Sequence, residues 1–149
     1  MNFDQYQALC TEAIASLDKE VNALSSTGTE QLQIQGVTFD LLFDEPQSVL
    51  SVVCHLGTPS EEHRADVFAQ FLHLQMLSLQ MLGVRFGYDP KLDEVLFCSS
   101  AKVNKDTPAT WLATLITTMA NQAEIWRHGL LDGQMAEAAD ELQDEMLAN

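Results

Sequence analysis

Histidines, cysteines and carboxylates are the side chains here that could do acid–base, nucleophilic or metal chemistry. The four histidines are His55, His63, His73 and His128. None belongs to an HExxH motif, and none stands beside a second ligand at a spacing typical of a metal site. Nucleophile elbows, phosphate-binding glycine loops and dinucleotide fingerprints are also absent from the sequence. The sequence therefore predicts no catalytic residue, no metal ligand and no cofactor.

The three cysteines are widely separated along the chain, at Cys10, Cys54 and Cys98. An odd number without a CxxC motif argues against a disulfide framework and against a structural zinc site. We expect each thiol to be a small core residue in a reducing cytoplasm. Cys54 and His55 are neighbours in a predicted strand, so their side chains point to opposite faces and cannot act together.

Acidic residues dominate the charge of the chain. Seven Lys and Arg against 22 Asp and Glu give a net charge of −15, with a pI near 4.3. Adjacent carboxylates such as Asp44-Glu45 and Glu61-Glu62 are interpreted as solvated surface. A nucleic acid or an anionic membrane would be repelled by such a protein, which excludes both as expected partners.

The stretch from Val67 to Val84 contains no charged residue. It is long enough to raise the question of a membrane span, but three Gln, a His and a Ser interrupt it. We interpret it as a helix buried in protein, with no insertion into a membrane. The first ten residues lack the basic and apolar regions of a secretory signal, which agrees with a cytoplasmic location.

Hydrophobic periodicity predicts the first half of the fold. Spacings of three and four from Tyr6 to Leu24 predict a helix over residues 3–24. Alternation from Leu32 to Leu56 then predicts two or three antiparallel strands, with Asp-Glu-Pro at 44–46 as a turn.

The second half again begins with a predicted helix that is followed by strands. Thr58 followed by Pro59 predicts a helix start, and the helix is expected to run to about Leu82. Two strands at 84–88 and 95–103 and a helix over 108–128 follow. The order α-βββ-α-ββ-α predicts an α+β domain over residues 1–131, with helices packed on an antiparallel sheet. Residues 132–149 form an acidic extension, either a short amphipathic helix or a tail.

The predicted middle helix is apolar around more than half of its circumference. A helix that covers one face of a sheet needs an apolar stripe of a little over 100°. This helix has roughly twice that width, so it is either buried between the sheet and another helix or shared with a second copy. Because the chain offers three main helices, we favour a homodimer through this helix.

Three segments resemble the class I type III secretion chaperones of Gram-negative bacteria, the Tir-chaperone-like family. The segments are GVTFDLLFDEPQSVLSVVCHLG at 36–57, FLHLQMLSLQMLGVRFGYDPKLDEVLFCSS at 71–100 and TWLATLITTMANQAEIWRHGL at 110–130. Together with the element order, they extend the resemblance over about residues 3–131. Family members often carry an Asn late in the second helix, where this chain has Gln75, Ser78 and Gln80. The extension after Leu131 is also longer than the family pattern.

The resemblance implies a bacterial cytoplasmic homodimer without cofactor or catalysis. Such a chaperone holds the N-terminal segment of one or more secreted effectors in an extended, soluble, export-competent form. It presents that segment to the secretion apparatus and its ATPase. The resemblance assigns the dimer contact to Phe68, Phe71, Leu72, Gln75 and Leu79. It assigns effector binding to Phe3, Tyr6, Leu32, Ile34, Phe39, Leu41 and Phe43, of which some must instead be core.

Two other interpretations stay open at this point. One is an acidic α+β adaptor that binds proteins but is unrelated to secretion, with the tail as a candidate contact. The other is a small enzyme that uses His55 or His63 with nearby carboxylates.

Overall fold

A computed structural model describes residues 1–17, 21–26, 29–77 and 84–132, and the side chains of 1–17, 31–77 and 84–128. Nine elements follow one another along these residues. They are α1 (Phe3–Ala15), β1 (Val21–Ser26), β2 (Thr29–Ile34), β3 (Val37–Asp44), β4 (Val49–Gly57), α2 (Arg64–Leu77), β5 (Val84–Asp89), β6 (Glu94–Lys102) and α3 (Ala109–Asp132).

The six strands form one antiparallel sheet in the order β1-β2-β3-β4-β6-β5. A two-residue turn joins β2 to β3, where Gln35 and Gly36 both have positive φ, 52° and 78°. This is the geometry of a type I′ turn, whose twist matches the strands that flank it. The predicted α+β class with an antiparallel sheet is confirmed.

The first helix is shorter than predicted. It begins with a capping box in which Asn2 and Gln5 bond each other's backbone N–H, and it ends at Ala15 with Ser16 as its C-cap. Residues 21–26 form an additional strand that pairs with β2, from Val21 opposite Ile34 to Ser26 opposite Thr29. The prediction of helix over 21–24 was therefore wrong, because strand pairing outweighed the periodicity that Val21 and Leu24 continue.

The second helix also starts later than predicted. Residues 61–63 form a turn, in which the His63 N–H donates to Ser60 O at 3.2 Å, and the helix begins at Arg64. Its predicted end near Leu82 lies outside the described residues, as does the acidic extension from 133 onward. The domain boundary after 131 stays a prediction.

All three helices pack on one face of the sheet. Tyr6 of α1 donates its hydroxyl to Leu41 O at 3.2 Å, and the Trp126 ring of α3 lies 5.0 Å from both the Phe86 and Phe97 rings. Leu50, Val52, Cys54 and Leu56 alternate along β4 and are all buried on this face, as the alternation of the sequence indicated. The opposite face, called here the open sheet face, carries half-buried and exposed side chains. The helices of the described residues include none long and apolar enough to cross a bilayer.

Candidate functional site

An apolar groove runs between α2 and β5, and we call it the α2–β5 groove. Its volume is about 240 Å³. It is lined by Phe68, Phe71, Leu72, Gln75, Phe86, Gly87, Tyr88 and Val95. Four of the five residues expected at a dimer contact are in this list, and the fifth, Leu79, lies outside the described residues. The structure thus gathers the predicted α2 residues in one place.

The residues of α2 face two directions. Val67, Phe71 and Leu74 are buried against the sheet, whereas Leu72 and Met76 are 71% and 66% exposed. These two side chains are four residues apart on the helix, so they lie side by side and form an exposed apolar patch. Within Arg64–Leu77, the helix therefore has one buried apolar face and a second face with exposed apolar side chains. That a second copy covers this second face stays a prediction.

Aromatic contacts hold the walls of the groove. The Phe71 and Phe86 rings meet edge to face at 4.8 Å, and Phe68 and Tyr88 do so at 5.0 Å. At one end, the Gln75 side-chain Oε1 accepts a hydrogen bond from the Phe86 backbone N–H at 2.8 Å. Because β5 is an edge strand, this amide covers part of a backbone edge that could otherwise pair with another chain.

An ion pair fixes the start of α2 beside the groove. Arg64 Nη1 and Nη2 donate to the Asp93 carboxylate at 2.7 and 2.8 Å, and the Tyr88 hydroxyl donates to the same group. These bonds, the Arg64 pair first, lower the pKa of Asp93 to about 2. The same carboxylate raises the pKa of both Arg64 and Tyr88. The contact joins α2 to the β5–β6 hairpin, so the two walls of the groove are linked at one end.

The β5 wall was not assigned to the site from the sequence. The alternation of Val84, Phe86 and Tyr88 with Arg85 and Gly87 in the sequence was the signal available. What the sequence could not supply was the partner of that face, because strand-to-helix packing is set by the tertiary fold.

The residues expected to bind an effector are mostly in the core. Tyr6, Leu32, Ile34, Phe39 and Leu41 are each at most 2% exposed. They fill the space between the sheet and the helices, so they are not accessible to a client in this structure. The assignment of these five residues to effector binding therefore needs correction, because they are core residues, as was expected for some of the set.

Two of the expected residues do reach the surface. Phe3 is 38% exposed, and Phe43 is half-buried. Both rings lie against Tyr6, with Phe3 at 5.7 Å and Phe43 stacked at 4.7 Å. Phe3, Tyr6 and Phe43 thus form an aromatic patch where α1 meets β3.

His55 is the best-connected histidine of the described residues. It points to the open sheet face, opposite to the buried Cys54, as the strand prediction required. Both ring nitrogens are within hydrogen-bond distance of carboxylates, Nδ1 of Glu94 and Nε2 of Asp40. Neither nitrogen is left to act as a base toward a substrate. His63 lies in the turn before α2 and does not join this cluster.

Two cysteines of the described part of the chain have a raised pKa. Burial raises the pKa of the Cys54 thiol, partly offset by the charge of Arg127, so this thiol is not a poised nucleophile. Burial likewise raises the pKa of Cys98, with Arg85 acting against it. Across the described side chains, no group of three His, Cys, Asp or Glu is arranged to hold a metal ion.

Comparison with solved structures identifies the fold. The ExsC–ExsE complex contains a chain with TM-score 0.64 and 15% identity, covering 87% of this chain and 97% of that one. The HopA1–SchA chaperone–effector complex gives TM-score 0.58 and 18% identity, covering 89% and 98%. YbjN from E. coli, described as a proposed transcription regulator, gives TM-score 0.56 and 12% identity, covering 92% and 94%.

Sequence comparison identifies the family. None of the curated proteins is significantly similar in sequence. Residues 13–127, however, match the Tir chaperone protein (CesT) family. This segment runs from the end of α1 to the last described side chains of α3, and it includes every strand of the sheet. The chain therefore belongs to the Tir chaperone protein (CesT) family.

Proposed function

We propose that this protein is a non-catalytic type III secretion chaperone that binds the N-terminal segment of one or more effectors. The observation that carries the proposal is the family match over residues 13–127. The fold shared with chains of the ExsC–ExsE and HopA1–SchA complexes supports it. The bound segment stays extended and soluble until export, and the chaperone delivers it to the secretion ATPase in the cytoplasm.

The proposed active form is a homodimer joined through the exposed face of α2. Leu72 and Met76 would leave water, and the α2–β5 groove lies beside them to receive apolar side chains of the second copy. A two-fold axis would bring the same patch of both copies together. The acidic surface elsewhere would keep such a dimer soluble.

Leu72 offers a cleaner test of this dimer than Phe71. Phe71 is 6% exposed, so a charge there would damage the fold itself. We expect light scattering to give the wild type twice the 16.5 kDa of one chain and Leu72→Asp a monomer. Ile125→Asp is the matched control, because Ile125 is a 49% exposed helical position on α3. A monomeric wild type, or equal dissociation of both variants, would contradict the dimer proposal.

Client contact is proposed to involve Phe3 and Phe43 of the aromatic patch, with the buried Tyr6 as their support. Phe3 supplies the accessible ring, while Tyr6 anchors it through the stack with Phe43. The buried residues of β2 and β3 would support this patch from below without touching the client.

The test of function is capture of the tagged full chain from a lysate of its source bacterium, with bound proteins identified by mass spectrometry. Limited proteolysis of the complex should then protect a segment near the N-terminus of a secreted protein. Phe3→Asp is expected to lose this client, while Ile125→Asp retains it. A partner that is not secreted, or protection far from its N-terminus, would contradict the proposal.

A second candidate function is an adaptor unrelated to secretion. YbjN shares the fold at 12% identity, so the fold alone does not define the partner. Deletion of residues 132–149 separates the two ideas. An adaptor that uses its acidic tail would lose its partner, whereas a chaperone that uses the aromatic patch would keep its client.

A further inference from the structure

One imidazole ring bridges three strands at the open sheet face. His55 on β4 has Nδ1 2.8 Å from Glu94 Oε2 on β6, and Nε2 2.6 Å from Asp40 Oδ2 on β3. The His55 side chain is 12% exposed, against 19% for Asp40 and 31% for Glu94. The ring is therefore enclosed between two acceptors and is shielded from most of the solvent.

Between two ionised carboxylates, this geometry requires a charged ring. A carboxylate oxygen accepts hydrogen bonds, so both contacts form only when both nitrogens of His55 carry hydrogen. A neutral ring has one N–H, and its other lone pair would face a carboxylate. Partial burial disfavours the charge, but the hydrogen bonds to Asp40 and then Glu94 outweigh it and raise the pKa of His55.

The charges around the ring come from the neighbouring strands. Asp40 on β3 also accepts from Gln31 Nε2 on β2 at 2.8 Å, which holds its carboxylate in place. On β5, Asp89 stands opposite Glu94, and Arg85 lies further along the same strand. The described helices pack on the other face of the sheet and bring no charged group to this cluster.

We propose that Asp40, His55 and Glu94 form a proton-dependent clamp that holds β3, β4 and β6 together. When the ring loses a proton to solvent, it keeps the hydrogen toward Asp40, which is the closer and more buried acceptor. The bond to Glu94 is then lost, and the pairing of β4 with β6 is loosened at that end.

The direction of the pH dependence follows from linkage. Because the pKa of His55 is raised in the folded chain, the clamp contributes fully below the ordinary value of 6.5. Its contribution is lost as pH rises through the folded pKa. We therefore expect the sheet to be most stable on the acidic side of this transition.

Nuclear magnetic resonance of the labelled full chain tests the clamp directly. Ring nitrogen chemical shifts, followed from about pH 5.5 to about pH 9, should show that both nitrogens of His55 carry hydrogen at the acidic end. The midpoint of this titration should lie above pH 6.5. His55→Gln assigns its signals. Glu94→Gln should lower the midpoint, whereas Glu12→Gln, at an exposed position of α1, should not. A wild-type midpoint at or below 6.5 would overturn the proposal. So would a midpoint that changes equally in Glu94→Gln and Glu12→Gln.

Urea unfolding at two pH values gives an independent readout. The stability advantage of wild type over His55→Gln should be larger at about pH 6 than at about pH 8.5. An advantage that is the same at both values would also overturn the proposal. If His55→Gln does not fold, the wild-type titration and Glu94→Gln still decide the question.

Discussion

Replacing Phe39 by Ala tests whether this side chain belongs to the core or contacts the client. Phe39 is 0% exposed and pairs with Leu32 on β2 and Cys54 on β4. Truncation of a buried Phe to Ala costs about 3–5 kcal/mol, because the apolar contacts are lost and a cavity remains. A loss of about 4 kcal/mol lowers the folding equilibrium constant about a thousandfold.

Phe3→Ala is the matched comparison, since it is the same substitution at a position that is 38% exposed. The Phe3 ring lies 5.7 Å from that of Tyr6. Loss of such an aromatic pair costs about 0.5–1.5 kcal/mol beyond the area it buries. We therefore expect Phe39→Ala to be several kcal/mol less stable than Phe3→Ala. Client binding, by contrast, should weaken more in Phe3→Ala.

Equilibrium urea unfolding, followed by tryptophan fluorescence, measures the difference. Trp126 is suited as a probe because it is 1% exposed and packed between Phe86 and Phe97. With a slope of about 2 kcal/mol/M, Phe39→Ala should lower the midpoint by about 2 M. Protein concentration is kept fixed, because dissociation of an oligomer also shifts the midpoint.

The refuting result is equally specific. If Phe39→Ala unfolds within about 1 kcal/mol of wild type and loses its client, Phe39 contacts the client and the core assignment fails. If Phe3→Ala leaves client affinity unchanged, the aromatic patch is not the contact surface.

Two further predictions concern the groove edge and the thiols. Gln75→Ala should leave the Phe86 N–H without its side-chain acceptor, so hydrogen exchange of that amide should become faster. An unchanged exchange rate would show that the hydrogen bond is not formed in solution. In the native chain, Cys98 should react with an alkylating agent before Cys10 and Cys54, because it is half-buried and the other two are fully buried. Mass spectrometry of timed samples checks this order, and early labelling of Cys54 would contradict it.

The sequence predicted those features that local patterns encode. Alternation predicted the strand that became β4, and the predicted start of the last helix at residue 108 lies within one residue of Ala109. Local patterns failed where hydrogen bonding between strands determined the secondary structure. Val21 and Leu24 fit a helical period, but the hairpin with β2 gave their backbone a sheet partner.

The site could be predicted only in part, for a related reason. The apolar width of α2 indicated two contact faces, but only the fold shows that Leu72 is exposed while Phe71 is buried. Similarly, Asp40, His55 and Glu94 come from three separate strands, and their meeting depends on strand register. No sequence spacing encodes that register directly.

The strand order has a consequence for the folding kinetics of the chain. Among the described strands, β4 and β6 are the pair that are not consecutive in the chain, and the Ser51 and Ser100 hydroxyls that meet across them are 49 residues apart. Closing a loop of about that length has a length-dependent entropic free-energy cost of roughly 3.5 kcal/mol, and this cost precedes any stabilisation by β4–β6 contacts. The remaining pairs are hairpins that can form locally. The two halves of the sheet should therefore assemble early, and their joining along β4–β6 should set the folding rate.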